Sequence, residues 1–75
     1  MNEKLFDKLY TFFKENYNIV IYIEPCEFSF TDEYNYAIFD NGVEIPEVAC
    51  KSKDDARQRS VIKALELANQ KEEKK

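Results

Sequence analysis

Four carboxylates, Glu24, Glu27, Asp32 and Glu33, fall within one ten-residue stretch, and two thiols, Cys26 and Cys50, lie within and beyond it. Paired carboxylates do general acid–base work when burial raises the pKa of one partner. These four sit in a polar connecting segment, where acidic side chains stay solvated, so no catalytic residue is assigned among them. As a calcium loop the segment lacks the alternating acidic ligands and central glycine of an EF-hand. Two cysteines do not complete a four-ligand zinc site without carboxylate help. They form no Cys-x-x-Cys pair either, so thioredoxin-type exchange has no support. The chain has no histidine, the side chain that titrates nearest neutrality and the commonest transition-metal ligand. Neither a metal nor a cofactor is expected.

The elements that position these groups follow from length and periodicity. Seventy-five residues, 44% hydrophobic and 35% charged with a net charge of −4, make one small domain. A chain of this size hides only about 60–65% of its unfolded surface, so its core must be dense. Six Phe and five Tyr supply that density. From Glu3 to about Tyr17, the apolar residues Leu5, Phe6, Leu9, Tyr10, Phe13 and Tyr17 recur three and four apart, which predicts a helix with Phe12 at the edge of its stripe. Asn16 and Asn18 suit its end. The period then changes to two: Asn18 to Glu24 places Ile19, Ile21 and Ile23 on one face of a strand that Pro25 stops. Phe28 and Phe30 alternate before a turn at Thr31-Asp32-Glu33.

Tyr34 to Asp40 reads as a second strand, Asn41-Gly42 as a hairpin turn, and Val43 to Cys50 as a third strand. Pro46 has no N–H to give the ladder, so that strand belongs at an edge or carries a bulge. Ser52-Lys53-Asp54-Asp55 opens a second helix with a serine cap and two acids at its positive end. Ala56, Val61, Ala64, Leu65 and Ala68 form its apolar stripe. The expected fold is a single α+β domain over residues 1–70, ordered α-β-β-β-α, with a three-stranded antiparallel sheet and both helices on one face. Residues 71–75 are expected to form a charged, flexible tail. Cys26 and Cys50 fall at the same end of that sheet, leaving a disulfide open. The start Met1-Asn2-Glu3-Lys4-Leu5 shows no charged leader followed by an apolar run. Ile19 to Ile23 is far shorter than the ~20 residues that cross a bilayer. A reducing, cytoplasmic location with free thiols is the expectation.

Charge is distributed unevenly. Met1 to Tyr17 is balanced, Lys51 to Lys75 carries +3, and Asn18 to Cys50 carries −7 without one Lys or Arg. Acidic loops of this kind keep a small domain soluble and discourage edge pairing. They also point to a surface for a basic partner, with Tyr22, Glu24, Tyr34, Tyr36, Phe39, Glu44 and Glu47 as its candidate residues. Tyrosines outside a core join an apolar face to a hydroxyl, which suits interfaces. A homodimer sealed by the same rings is the second reading. The sheet offers no cation to a phosphate backbone, which disfavours nucleic acid there.

Two resemblances add to this. The element order, together with Ser52-Lys53-Asp54-Asp55-Ala56-Arg57, then Ser60-Val61 and Ala64-Leu65, resembles the double-stranded-RNA-binding domain. That resemblance implies phosphate contacts from Lys51, Lys53 and Arg57. Asp54 stands where that family uses a lysine, and the glycine-rich loop before the helix and the Gly-Pro-x-His type loop between the first strands are missing. Over most of the chain, Leu9 to Ile19 with the alternating Ile/Tyr run, and Ser52 to Ala68 with Lys63-Ala-Leu-Glu-Leu67, is similar to small proteins encoded by bacterial phages and prophages. This implies a non-enzymatic accessory protein that docks on a host or phage protein, such as a phage-encoded inhibitor of a host protein.

Overall fold

A computed structural model of the chain describes residues 1–26 and 33–73; Glu27, Phe28, Phe30, Thr31 and Asp32 lie outside the described residues. The order is α1 (Glu3–Tyr17), β1 (Ile19–Pro25), β2 (Tyr34–Asp40), β3 (Val43–Cys50) and α2 (Lys53–Glu73), an α+β arrangement. The strands form one antiparallel sheet in the order β1-β2-β3. α2 packs across all three strands, and α1 packs beside it on β1.

Local chemistry sets the boundaries. The Asn2 side chain accepts the Leu5 N–H at 2.8 Å and caps α1, a signal the periodicity does not contain. Asn18 closes that helix in the left-handed conformation, φ 54°. Its carbonyl then accepts the Asn41 N–H at 3.0 Å, tying the helix end to the hairpin. Asn41 and Gly42 have φ of 53° and 82°, the pair of positive values a type I′ turn requires. Ser52 accepts the Asp55 N–H at 3.1 Å, and the Asp55 carboxylate accepts the Lys51 N–H at 3.1 Å, a reciprocal cap for α2. That backbone bond, with the Arg59 guanidinium 3.0 Å away, holds the Asp55 carboxyl below the usual aspartate range.

The core lies between the sheet and the helices: Phe13, Ile19, Ile21, Tyr36, Ile38, Cys50, Ala56, Val61, Ala64 and Ala68. Ala56, Ser60, Ala64 and Ala68 recur every four residues along α2 and are buried, so its backbone approaches the sheet closely. Leu5 and Leu65, expected in the stripes, are exposed instead. Leu65 stands about 100° around the helix from Ala64, beyond the narrow line of contact. The fully buried Ser60 takes a core place and donates its hydroxyl to the Arg57 carbonyl at 2.9 Å.

The helix continues through Glu73, past the boundary expected at residue 70, because its last turn has long-range partners. Lys71 Nζ lies 2.6 Å from Asp40 Oδ1, an oxygen shielded from solvent. The Tyr17 hydroxyl donates to Glu72 at 3.0 Å, a bond that raises the Tyr17 pKa. Lys71→Met keeps most of the aliphatic stem and strands the shielded Asp40 oxygen. It is expected to cost about 1–3 kcal/mol in urea denaturation, whereas Glu73→Gln should leave the midpoint unchanged. Equal midpoints for the two variants would refute a structural role for that last turn.

Candidate functional site

Pairing decides which side chains share a face. Ile19, Ile21 and Ile23 stand opposite Asp40, Ile38 and Tyr36, so these six face the helices. Val20, Tyr22 and Glu24 stand opposite Phe39, Ala37 and Asn35, and these six form the other, open face. β3 joins the open face through Glu44, opposite Phe39, and Ala49, opposite Asn35. Between them the register shifts: Tyr36 pairs with Val48 and Ile38 with Ile45, so Pro46 and Glu47 together oppose Ala37. Pro46 therefore lies on an edge strand and within a bulge.

That bulge changes the phase of the strand. Strict alternation from Glu44 would send Glu47 inward and leave Val48 and Cys50 on the open side. The extra residue brings Glu47 beside Glu44 and returns Cys50 to the core. On the open face, Tyr22, Glu24, Asn35, Tyr36, Ala37, Phe39, Glu44 and Glu47 line a concavity of about 320 Å³. Ala37 gives it a shallow floor. The Tyr22 and Phe39 rings meet above, centroids 5.4 Å apart and planes at 81°. Tyr22 is 46% exposed. Glu24 on β1 and Glu44 and Glu47 on β3 bound this aromatic centre from opposite sides, all three exposed. β1, β2 and β3 contain no Lys or Arg.

Six of the seven residues expected at a docking surface are thus brought together around the concavity: Tyr22, Glu24, Tyr36, Phe39, Glu44 and Glu47. Tyr34 is not among them, and Tyr36 borders the concavity without the exposed ring expected of it. Tyr36 is 8% exposed and belongs to the core cluster, where burial raises its pKa. Tyr34 packs against the same cluster, with Lys53 Nζ 6.0 Å from its ring centroid. Asp40, counted in the negative middle segment, faces the helices and is neutralised by Lys71. Glu33 lies at the far end of the sheet, around a smaller hollow shared with Cys50, Lys51, Asp55 and Arg59. Sequence reasoning missed Ala37 and Asn35, whose place on this face follows from alternation with Phe39.

No disulfide joins the cysteines. Both thiols are free. Cys26 donates to the Asn35 side chain at 3.0 Å on the open side, whereas Cys50 is buried on the other. Cys26 flanks β1 and Cys50 ends β3, with β2 between, so their backbones stand roughly 9–10 Å apart by strand spacing. A disulfide needs under about 7 Å between Cα atoms.

The start of α2 carries mixed charge. Arg57 lies 5.7 Å from the Phe6 ring centroid and Lys53 over Tyr34. Asp54 pairs with the Met1 amine at 2.6 Å, and Asp55 with Arg59. Lys51, Lys53 and Arg57 therefore stand among two carboxylates and the rings of their own domain. Among the described residues no group of three or more His, Cys, Asp or Glu is placed to hold a metal ion. No helix among the described residues is long and apolar enough to cross a membrane.

No family model matches the chain, and comparison with curated proteins and with solved structures gives no match. The fold is a two-layer α+β domain with helices on one side of a three-stranded sheet and an acidic, aromatic concavity on the other.

Proposed function

We propose that this is a non-enzymatic docking domain whose open sheet face binds a basic surface of another protein. One observation carries the reading. Glu24, Glu44 and Glu47 gather around the exposed Tyr22 ring and the half-buried Phe39 ring on a face that neither helix covers, with no cation in the strands. An aromatic centre supplies contact area, and a rim of one sign steers a partner of the other and selects against wrong ones. A second copy of the chain fits poorly, because face-to-face pairing opposes three carboxylates to three more. Nucleic acid fits poorly for the same reason, since its phosphates meet like charge. The partner is a host or phage protein and the domain a cytoplasmic accessory protein of the phage-encoded kind, in keeping with the resemblance over most of the chain and with two free thiols. Reversing Glu24, Glu44 and Glu47 to lysine tests the reading. Capture of a basic peptide should weaken and lose its sensitivity to salt, and unchanged capture would overturn it.

A further inference from the structure

Resting on that reading, we infer that the concavity between Tyr22, Phe39 and the β3 glutamates receives a single arginine side chain from the partner. Three features select it. The volume, about 320 Å³, is at the low end for a ligand site and has room for one long side chain. An edge-to-face ring pair leaves π surface on both rings, and a cation over such a face is attracted to the negative centre of the ring. Carboxylates stand at the rim rather than the floor, so a planar guanidinium stacked on a ring extends its N–H fork outward to Glu44 or Glu47.

Lysine satisfies only part of this. Its ammonium is compact, strongly hydrated and without a flat face, so it meets the carboxylates but stacks poorly. The bulge at Pro46 is what makes the arrangement available. By placing Glu44 and Glu47 on one face beside Phe39, it sets two acceptors along one wall of the hollow, where a regular strand would present one.

The test uses fluorescence anisotropy with three labelled nonapeptides that differ only at the central position, Arg, Lys or citrulline, each flanked by lysines. The arginine peptide is expected to bind about 5–10-fold more tightly than the lysine peptide, as a cation–π gain of this kind implies. The citrulline peptide, flat but uncharged, should bind more weakly than either. Tyr22→Leu keeps apolar bulk at an exposed position while removing the π face, and Phe39→Leu does so from the neighbouring strand. Each should shrink the preference for arginine while retaining the salt-dependent affinity for the lysine peptide. Equal binding of the arginine and lysine peptides, indifferent to both leucine variants, would overturn the arginine site and leave the docking reading standing. Absence of binding by any of the three would overturn the docking reading itself.

Discussion

Phe13→Ala is expected to leave the domain close to unfolding at room temperature. Phe13 is fully buried in the core cluster that also holds Ala56, Ala64 and Ala68, and its removal opens a cavity that side chains this small cannot fill. Truncating a buried phenylalanine costs about 3–5 kcal/mol. A chain of 75 residues has a total stability of roughly 4–11 kcal/mol at typical values per residue. The melting temperature should fall by about 15–30 °C. Phe12→Ala is the matched control. It removes the same side chain one residue earlier, from a position 46% exposed where the ring meets Phe13 and Tyr17 edge-on. Its cost should be near 1 kcal/mol, the scale of an aromatic edge contact. Thermal denaturation of both variants checks the pair, and comparable losses would contradict the assigned face of α1.

The second large effect is on binding. Reversing Glu24, Glu44 and Glu47 together removes three attractions and installs three repulsions. With exposed pairs worth up to about 1 kcal/mol each, the affinity for a lysine- and arginine-rich peptide should fall roughly 100-fold at low salt. At high salt wild type and variant should converge, because exposed charges are screened within a few ångströms. Glu3, Glu15 and Glu73 provide the control set. They are exposed on the helices, and their reversal makes the same change in net charge away from the open face. Equal losses from the two triple variants would mean that affinity follows overall charge, with no face involved. Stability should be little altered in either case, since none of the six is buried.

Much of the fold is readable from local chemistry. Asn41-Gly42 has one economical conformation and sets the β2–β3 hairpin. The alternation of Ile19, Ile21 and Ile23 fixes the buried face of β1. The face of β2 is harder to read, because Tyr34, Tyr36 and Ile38 compete with Ala37 and Phe39 for burial and both sets are apolar. Tyr36 and Phe39 are an odd number of residues apart, however, so a regular strand cannot display both on one side. With Ile38 opposite Ile21 in the core, Tyr34 and Tyr36 must follow it inward. Pro46 announces an irregularity in β3 but not the direction of the phase change, and a one-residue slip exchanges every side chain between faces. The clasp of Lys71 on Asp40 and of Tyr17 on Glu72 leaves no mark in local sequence at all. It depends on the tertiary path that brings the end of α2 back over the hairpin and α1.

The most direct measurement is the footprint of a lysine- and arginine-rich peptide on the isotopically labelled domain, read from amide and aromatic resonances during titration. Shifts should concentrate on Tyr22, Glu24, Ala37, Phe39, Glu44 and Glu47, with α1 and the outer side of α2 silent. A footprint centred instead on Lys51, Lys53 and Arg57, or on the exposed Ile62 and Leu65 of α2, would contradict the claim that this protein meets its partner through the bare side of its sheet.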